Sequence, residues 1–391
     1  MTFNKKLLAG LVVLAAASTS AQAVTLVAED GWEVKVGGLI NQFATFTDAK
    51  GVDDVANLED GLLPAFLNFD FKAPTMNGLD VAAHISFSPS TSRNSYESFE
   101  QREVYFTVDG SFGQVLAGKA LGLYASQNIL TDQTLYGVGY GAGRSAAENV
   151  TTLGGIGLGY DYASWRSQVK WTSPDMNGFK LAIAIMDPTA EATGALTALS
   201  GGPTGSLTSG GADSDAFRYE ANLSYAGTMD NGSYSAWLSA MTQDEDNAGN
   251  NDTHAWTVGG TAVIGGFELM AQYSDAENKT GAVAAAAAVA AVPGNAGTAA
   301  VAASPSITTE WDQFLVQGGY RFNGTTLVSA QYAELDNKTS GVNIDQSEKW
   351  TVGVYHDVNS NLKLVAEYTN VENDDLNIDT DIFSLGGFVF F

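Results

Sequence analysis

A two-residue alternation of apolar and polar side chains limits the fold of this chain more than any other feature. In residues 65–72, for example, Leu67, Phe69 and Phe71 alternate with polar neighbours. Because successive side chains of a strand point to opposite faces, this pattern predicts strands with one apolar and one polar face. Most of the segments approach the roughly 9 to 11 residues with which a tilted strand crosses a bilayer. Sixteen can be placed: 32–41, 65–72, 79–87, 102–108, 113–119, 164–171, 178–185, 217–225, 232–240, 254–264, 266–273, 313–322, 325–332, 348–355, 361–368 and 381–391.

The links between these segments alternate in length along the whole chain. The short links are 73–78, 109–112, 173–178, 227–232, 264–266, 322–324 and 357–361. The long links are 47–61, 88–99, 120–163, 188–215, 244–252, 276–309, 335–346 and 371–379. Bacterial outer-membrane barrels alternate in this way because their turns face the periplasm and their long loops face outside. A soluble β-sandwich has no reason to sort its loops so, and the pattern therefore predicts an all-β, antiparallel transmembrane barrel.

The first residues have the composition of a secretory signal peptide. A basic start, MTFNKK, is followed by the apolar run LLAGLVVLAAA and by Ala21-Gln22-Ala23, a small-residue cleavage site. The apolar run is about half the length of a membrane-spanning helix, which makes a retained anchor the weaker interpretation. We predict a signal peptide over 1–23 and a barrel domain over 24–391, which uses no disulfide because the sequence has no cysteine.

The chain is strongly acidic, with 18 Lys and Arg against 44 Asp and Glu and a net charge of −26. Nucleic acid is excluded as a partner, because phosphate binding depends on clustered basic residues. The acids concentrate in 48–60, 243–252 and 371–379, within the long links. Negative loops at a channel mouth would attract cations, which predicts mild cation selectivity. The alternative is that these acids solvate the loops or bridge divalent cations to lipopolysaccharide.

Residues that would indicate catalysis or a metal site are sparse. His84, His254 and His356 lie in separate strand segments, without the spacing of a zinc site or of a nucleophile and its base. We therefore predict no catalytic residue, no metal and no cofactor. An outer-membrane hydrolase would need Ser and His to meet on one face of the barrel, a possibility that the sequence alone leaves open.

Several motifs, taken in order, resemble the trimeric general porins of Gram-negative bacteria. REVYFTVDGSFGQVLAGK, residues 102–119, is similar to the family's strand, tight turn and strand before a long third loop. VKWTSPDMNGFKLAIAI, residues 169–185, is similar to the next strand, turn and strand. Further motifs fit at AFLNFDFKAPTMNGLDVAAHISF, WTVGVYHDVNSNLKLVAEY and the final SLGGFVFF. The resemblance covers the whole mature chain.

The resemblance implies a 16-stranded barrel that assembles as a homotrimer and passes small hydrophilic solutes by passive diffusion. It also implies that a third loop, about 120–163, folds inward, so that acids on the loop face a basic wall. The candidate acids are Asp132 and Glu148, and the candidate wall residues are Lys35, Lys119, Arg166 and Lys170. Lys119 and Lys170 stand where the family has basic residues, and all four alternate with apolar neighbours. The alternative for each is a rim residue that extends to the lipid headgroups.

The chain departs from the family at two places near the predicted constriction. Its third loop lacks the usual Pro-Glu-Phe type of tip, and Phe66 and Asn68 stand where the family has a basic residue early in strand two. The long loops 188–215 and 276–309 are of low complexity. The Ala-rich stretch 282–292 within the second is predicted to be loop, with a helix folded into or over the pore as the alternative.

The last strand resembles the signature by which the assembly machinery of the outer membrane recognises its clients. Phe383, Leu385, Val389 and Phe391 share one face of this segment. The alternative is a buried terminal strand of a soluble domain. For the whole chain two other functions stay open: a substrate-specific channel in which lumenal aromatic residues guide sugars or oligosaccharides, and a β-rich adhesin without a pore.

Overall fold

The computed structural model describes residues 23–51, 53–91, 99–142, 151–188, 216–244, 251–280, 307–339, 346–374 and 377–391. The predicted signal peptide up to residue 22, Glu148 and the low-complexity stretches 194–214 and 282–292 lie outside these ranges. The strands are β1 Val24–Glu29, β2 Trp32–Ala49, β3 Val55–Glu59, β4 Phe66–Lys72, β5 Asp80–Pro89, β6 Phe99–Gly110, β7 Gly113–Leu121, β8 Trp165–Thr172, β9 Phe179–Met186, β10 Arg218–Met229, β11 Gly232–Gln243, β12 Asn251–Ile264, β13 Phe267–Thr280, β14 Ile307–Phe322, β15 Thr326–Asn337, β16 Gln346–Asn359, β17 Leu362–Asn373 and β18 Ile378–Phe390. One short helix, α1 (Ser126–Thr131), and a 3₁₀ turn (Gln133–Tyr136) lie between β7 and β8.

The strands form one closed antiparallel barrel of sixteen positions, as the sequence predicts. β2 closes the ring, because it pairs with β18 along one edge and with β4 along the other. β3 pairs with the same edge of β2 as β4, further along the strand, so the two short strands share one position. β1 forms a hairpin with the first residues of β2. β1 and β3, which are 6 and 5 residues long, were not predicted from the alternation.

Several of the short turns have the geometry that two-residue hairpins require. Asn77–Gly78, Asn177–Gly178 and Asn323–Gly324 each have positive φ at both residues, and Asp30–Gly31 does the same between β1 and β2. Asn-Gly and Asp-Gly are favoured there because a type I′ turn places both residues in the left-handed region. We call this side of the barrel the turn end and the opposite side, with the long loops, the loop end.

The two faces of the wall differ as the alternation predicts. On β9, Ile183 and Ile185 are each 48% exposed, whereas Ala182 and Ala184 between them are buried. On β18, the four residues of the predicted assembly signature all lie on the exposed outer face: Phe383, Leu385, Val389 and Phe391. Among the described residues no helix combines the length and apolarity that crossing a bilayer would need.

Close backbone packing completes the ring near the chain end. The Gly38 N–H donates to the Phe391 carbonyl at 2.7 Å, and the Phe391 N–H donates back to Gly38 at 3.0 Å. A Cβ on Gly38 would lie 2.1 Å from the carbonyl oxygen of Phe66, so this position requires glycine. The last residue therefore takes part in closing the barrel.

Candidate functional site: the lumen and its inward loop

The segment 122–164 between β7 and β8 is here called loop 3, and its described parts, 122–142 and 151–164, fold into the barrel and pack against its inner face. Its first residues are fixed by Glu220 of β10, whose Oε2 accepts hydrogen bonds from the N–H groups of Leu123 at 2.6 Å and Tyr124 at 2.8 Å. Glu220 is itself paired with Arg218, at 2.6 Å. A buried carboxylate thus sets the direction in which loop 3 leaves the wall.

Helix α1 continues along the inner face of β11 to β13. Asn128 donates from Nδ2 to the Thr257 hydroxyl at 2.8 Å and accepts at Oδ1 from the Trp237 indole N–H at 2.9 Å. The buried side chains Ile129, Leu135 and Val138 belong to one apolar cluster with wall residues that include Met270, Leu315, Tyr355 and Phe388. Loop 3 and this part of the wall therefore pack together and form an apolar core inside the barrel.

Asp132 is the centre of the middle part of loop 3. Its Oδ1 accepts from the Thr134 N–H at 2.8 Å and from Gln331 Nε2 of β15 at 2.7 Å. Its Oδ2 accepts from the Gly155 N–H at 3.1 Å and the Tyr160 hydroxyl at 2.6 Å. The residue is 3% exposed, so the expectation that Asp132 faces the pore across the constriction is wrong. Its carboxylate is used to hold the two arms of the loop together.

The far side of loop 3 is fixed by β16 and β17. Glu367 Oε2 accepts from the N–H groups of Val138 at 2.7 Å and Gly139 at 3.0 Å. Lys349 donates from Nζ to the Gly154 carbonyl at 2.9 Å. A Cβ on Gly139, where φ is +57°, would lie 2.4 Å from Gly154 Cα, so the close approach of the two arms requires glycine at position 139.

Asp161 joins the end of loop 3 to β14. Its Oδ2 accepts from the Tyr124 hydroxyl at 2.7 Å, and its Oδ1 accepts from the Trp311 indole N–H at 3.0 Å. Burial raises the pKa of Asp161 above its ordinary value, and these two hydrogen bonds partly oppose the rise. Burial also raises the pKa of Tyr124 well above its ordinary value. The Tyr124 hydroxyl therefore stays protonated and remains a donor.

The wall residues that fix loop 3 were not among the candidates from the sequence: Glu220, Lys349 and Glu367. Each occupies an inner-face position next to an exposed outer-face aromatic residue, as Glu367 does before Tyr368. A polar side chain in phase with the inner face could therefore have been used to predict that these residues face inward. Their binding partners could not have been predicted, because the partners lie on a loop far away in sequence.

The side of loop 3 that keeps some exposure is uncharged within the described ranges. Its partly exposed residues are Gln127, Leu130, Thr131, Tyr136, Thr151 and Tyr162. Tyr136 is packed edge-on against Phe388, at 5.8 Å between ring centroids. The implied arrangement of loop acids opposite a basic wall is thus not found in this part of the loop, and Glu148 lies outside the described residues.

The four candidate wall residues do not form one cluster. Lys35 lies on the inner face near the turn end, pairs with Glu33 at 2.8 Å and keeps 38% of its side chain exposed. Arg166 is on the inner face of β8 but only 1% exposed, and its Nη1 donates to the carbonyls of Asp187 and Pro188 at 3.1 and 3.0 Å. Lys170 is on the same face of β8, in electrostatic contact with Glu103.

Lys119 lies on the outer face, which corrects the prediction that it lines the basic wall. Its register partners are Val104 of β6 and Ser167 of β8, in phase with the 57% exposed Val169. The alternation around Lys119 was ambiguous because its neighbours, Gly118 and Ala120, are too small to distinguish an apolar face. Its place near the loop end fits the alternative of a rim residue.

Charges on the inner face are largely paired. Besides Glu33 with Lys35, the pairs are Lys72 with Asp80, Arg218 with Glu220, Arg321 with Glu268, and Lys363 with Asp357. On the outer face near the loop end, by contrast, acids lie directly opposite acids. The register aligns Asp275, Asp312 and Asp336 in one row, and Glu334, Glu348, Glu372 and Asp379 in another. Much of the acidity of the chain thus lies outside the lumen.

The sequence profile of one family, described as Gram-negative porin, matches residues 10–376. The chain belongs to the Gram-negative porin family. No curated protein sequence matches this porin. Its fold is similar to that of an anion-selective porin from Comamonas acidovorans, with a TM-score of 0.62 and 16% identity over 92% of this chain and 100% of the other.

Two further solved structures share the fold at similar distance. The outer-membrane channel DcaP of Acinetobacter baumannii has a TM-score of 0.60 and 14% identity, over 93% of this porin and 98% of its own chain. Salmonella typhi OmpF has a TM-score of 0.57 and 14% identity, over 94% and 100%. At these identities the likeness shows the architecture alone. Within the described ranges of this porin, no three His, Cys, Asp or Glu side chains are grouped so that they could hold a metal ion.

Proposed function

We propose that this porin forms a passive channel for small hydrophilic solutes and ions across the outer membrane and has no catalytic activity. One observation carries the proposal: a closed barrel has an apolar outer face, and charged side chains lie on the inner face where loop 3 does not cover it. Asp70, for example, keeps 38% of its side chain exposed on the inner face of β4. Exposed charges inside an apolar shell are expected only where the interior holds water.

We further propose mild cation selectivity. The paired charges of the inner face contribute little net field, whereas the acidic links 48–60, 243–252 and 371–379 make the mouth negative. Such a mouth raises the local concentration of cations. The sign needs measurement, because the Comamonas structure with the same fold is of a porin named anion-selective.

We also propose a homotrimer, exported by cleavage after residue 23, assembled by the outer-membrane machinery and surrounded by lipopolysaccharide. One structure of similar fold, of the Vibrio cholerae protein OmpT, is named as a trimer form. The outer face of β18 would supply the assembly signature through Phe383, Leu385, Val389 and Phe391. The acidic rows at the loop end would lie beside lipopolysaccharide headgroups, with divalent cations between them.

The test is a planar-bilayer recording of the purified full-length protein. We expect stepwise conductance in groups of three and, in a KCl gradient, a reversal potential of the sign for cation preference. Absence of conductance from protein that migrates as a folded, heat-modifiable barrel would refute the channel. An anion-type reversal potential would refute only the selectivity.

A substrate-specific channel is the second candidate, and one observation favours it. The partly exposed side of loop 3 presents Leu130, Tyr136 and Tyr162 but no charge within the described residues. Aromatic faces in a pore can stack on sugar rings. Saturable block of the ion current by one oligosaccharide, and by no other of equal size, would support this candidate over general diffusion.

A further inference from the structure

A cluster of titratable side chains lies on the inner face of three neighbouring strands, apart from the wall that holds loop 3. Asp70 on β4 is the register partner of His84 on β5, and His84 is the partner of Tyr105 on β6. Glu103 lies on the same face of β6, two residues from Tyr105. The hydrogen bonds of loop 3 described above run to β10–β17, so this cluster belongs to the opposite sector of the lumen.

His84 lies between the two carboxylates. Its Nδ1 is 2.7 Å from Asp70 Oδ1, and its Nε2 is 3.4 Å from Glu103 Oε2, a contact of ion-pair rather than hydrogen-bond geometry. The imidazole is stacked on Tyr105 with 5.1 Å between ring centroids. A neutral imidazole would turn a lone pair toward one carboxylate, and only the imidazolium carries a proton on both nitrogens. A position between two carboxylates therefore favours the imidazolium over the neutral ring.

The charges around His84 compensate one another only while it is protonated. Asp70 and Glu103 contribute two negative charges, and His84 and Lys170 of β8, which interacts electrostatically with Glu103, contribute two positive ones. The neighbouring charges form pairs of their own: Lys35, the register partner of Asp70 on β2, is 2.8 Å from Glu33, and Glu220, which also acts on Lys170, is 2.6 Å from Arg218. Lys72, further along β4, is 3.8 Å from Asp80. His84 keeps 8% of its side chain exposed and Asp70 keeps 38%. Solutes in the lumen can therefore contact the Asp70 carboxylate, whose charge the buried imidazolium neutralises.

We propose that His84 is a selectivity-determining residue of this pore, which cancels one carboxylate charge on the lumen wall. The inference rests on the proposed channel function. Loss of the imidazolium leaves the wall with an additional net negative charge and raises the preference for cations. Loss of the Asp70 carboxylate has the opposite effect.

The experiment compares K⁺/Cl⁻ permeability ratios of the full-length channel and its His84→Gln variant in a KCl gradient. At pH 7 we expect the ratio of the variant to be about fourfold higher, because one elementary charge acting through water from about 10 Å favours K⁺ about twofold and disfavours Cl⁻ about twofold. The Asp70→Asn variant should lower the ratio by a similar factor.

The matched control is His254→Gln. His254 is another histidine beside a carboxylate, 3.3 Å from Asp244, but it lies on the outer face of β12 and is 53% exposed. We expect its permeability ratio to equal that of the wild type. Equal K⁺/Cl⁻ permeability ratios in the wild type and in a conducting His84→Gln variant would overturn the inference. If His84→Gln fails to fold, the Asp70→Asn variant decides, and a permeability ratio equal to that of the wild type would overturn the inference. Absence of conductance in every variant and the wild type would instead overturn the channel function.

Discussion

Individual buried carboxylates hold loop 3 in place. Two of them, Asp132 and Asp161, differ in the hydrogen-bond donors that surround their oxygens. Both oxygens of Asp132 face a backbone N–H, from Thr134 and from Gly155. Asp161 faces one obligatory donor, the Trp311 indole, and one hydroxyl, that of Tyr124, which can donate or accept. The same substitution at the two positions therefore has different consequences.

Asp132→Asn should destabilise the folded barrel by about 2 to 3 kcal/mol, because either orientation of the amide places an NH₂ against a backbone N–H. Asp161→Asn is the matched control and should be tolerated, since its Oδ1 can accept from Trp311 while its Nδ2 donates to Tyr124. The measurement is the free energy of unfolding in urea of detergent-refolded protein. Equal losses for the two variants would contradict this account of Asp132.

The raised pKa of Asp161 predicts a pH dependence of stability. The folded state holds this proton to higher pH than the unfolded state does, so the stabilising contribution is complete below the ordinary carboxyl pKa. This stabilising contribution is lost as the pH rises from the ordinary carboxyl pKa through the raised pKa of Asp161 in the folded state. The difference in unfolding free energy between the wild type and Asp161→Asn should follow this course, and a difference that does not change with pH would contradict it.

At the scale of elements, the arrangement of charges differs between the inner and the outer face of the strands. Most inner-face charges of the described strands occur as pairs of opposite sign, whereas the outer-face rows at the loop end place carboxylates opposite carboxylates, although Asp312 is also 3.0 Å from Lys338. Like charges directly opposite each other in a sheet are destabilising. The outer rows are therefore a stability cost for the isolated protein in detergent.

Glu348 is in the middle of the longer row, opposite Glu334 on β15 and Glu372 on β17. Glu348→Gln should raise the free energy of unfolding by about 0.2 to 1 kcal/mol at low ionic strength, and the gain should shrink in 1 M salt because the repulsion is screened. Glu33→Gln is the control: its partner Lys35 is 2.8 Å away, so removal of the charge should give no gain. A gain for Glu348→Gln that is unaffected by salt would argue against repulsion as the cause.

At the scale of the whole molecule, the chain has a net charge of −26, and the two acidic rows of the described strands lie on the outer face near the loop end. A mouth charge acts on permeating ions through the electrolyte, and the Debye length falls from about 30 Å at 0.01 M to about 3 Å at 1 M. The cation preference should therefore decrease steeply as the KCl concentration is raised over this range. The permeation rate of a neutral solute should not change. Salt-independent selectivity would place the determining charge inside the constriction.

The sequence by itself determined the barrel. Alternation fixes which residues face lipid, and the parity of the link lengths fixes the order of the strands, because both are local properties of neighbouring residues. Leu67, Phe69 and Phe71 specify one face of β4 without reference to any other strand, and Asn-Gly pairs specify hairpin turns. The outer-face placement of Phe383 and Leu385 followed in the same way.

Only the tertiary structure decided what lies inside the barrel. Loop 3 bonds to strands 96 residues away at Glu220 and 229 residues away at Glu367, and no local pattern contains such distances. For this reason Asp132 was assigned to the pore although it is buried. Lys119 was assigned to the inner face because its small neighbours, Gly118 and Ala120, left the alternation ambiguous, and only its register with Val104 and Ser167 places it outside. The charge of a side chain is a property of the sequence, but whether that charge meets water, lipid or a partner depends on which distant segments fold against it.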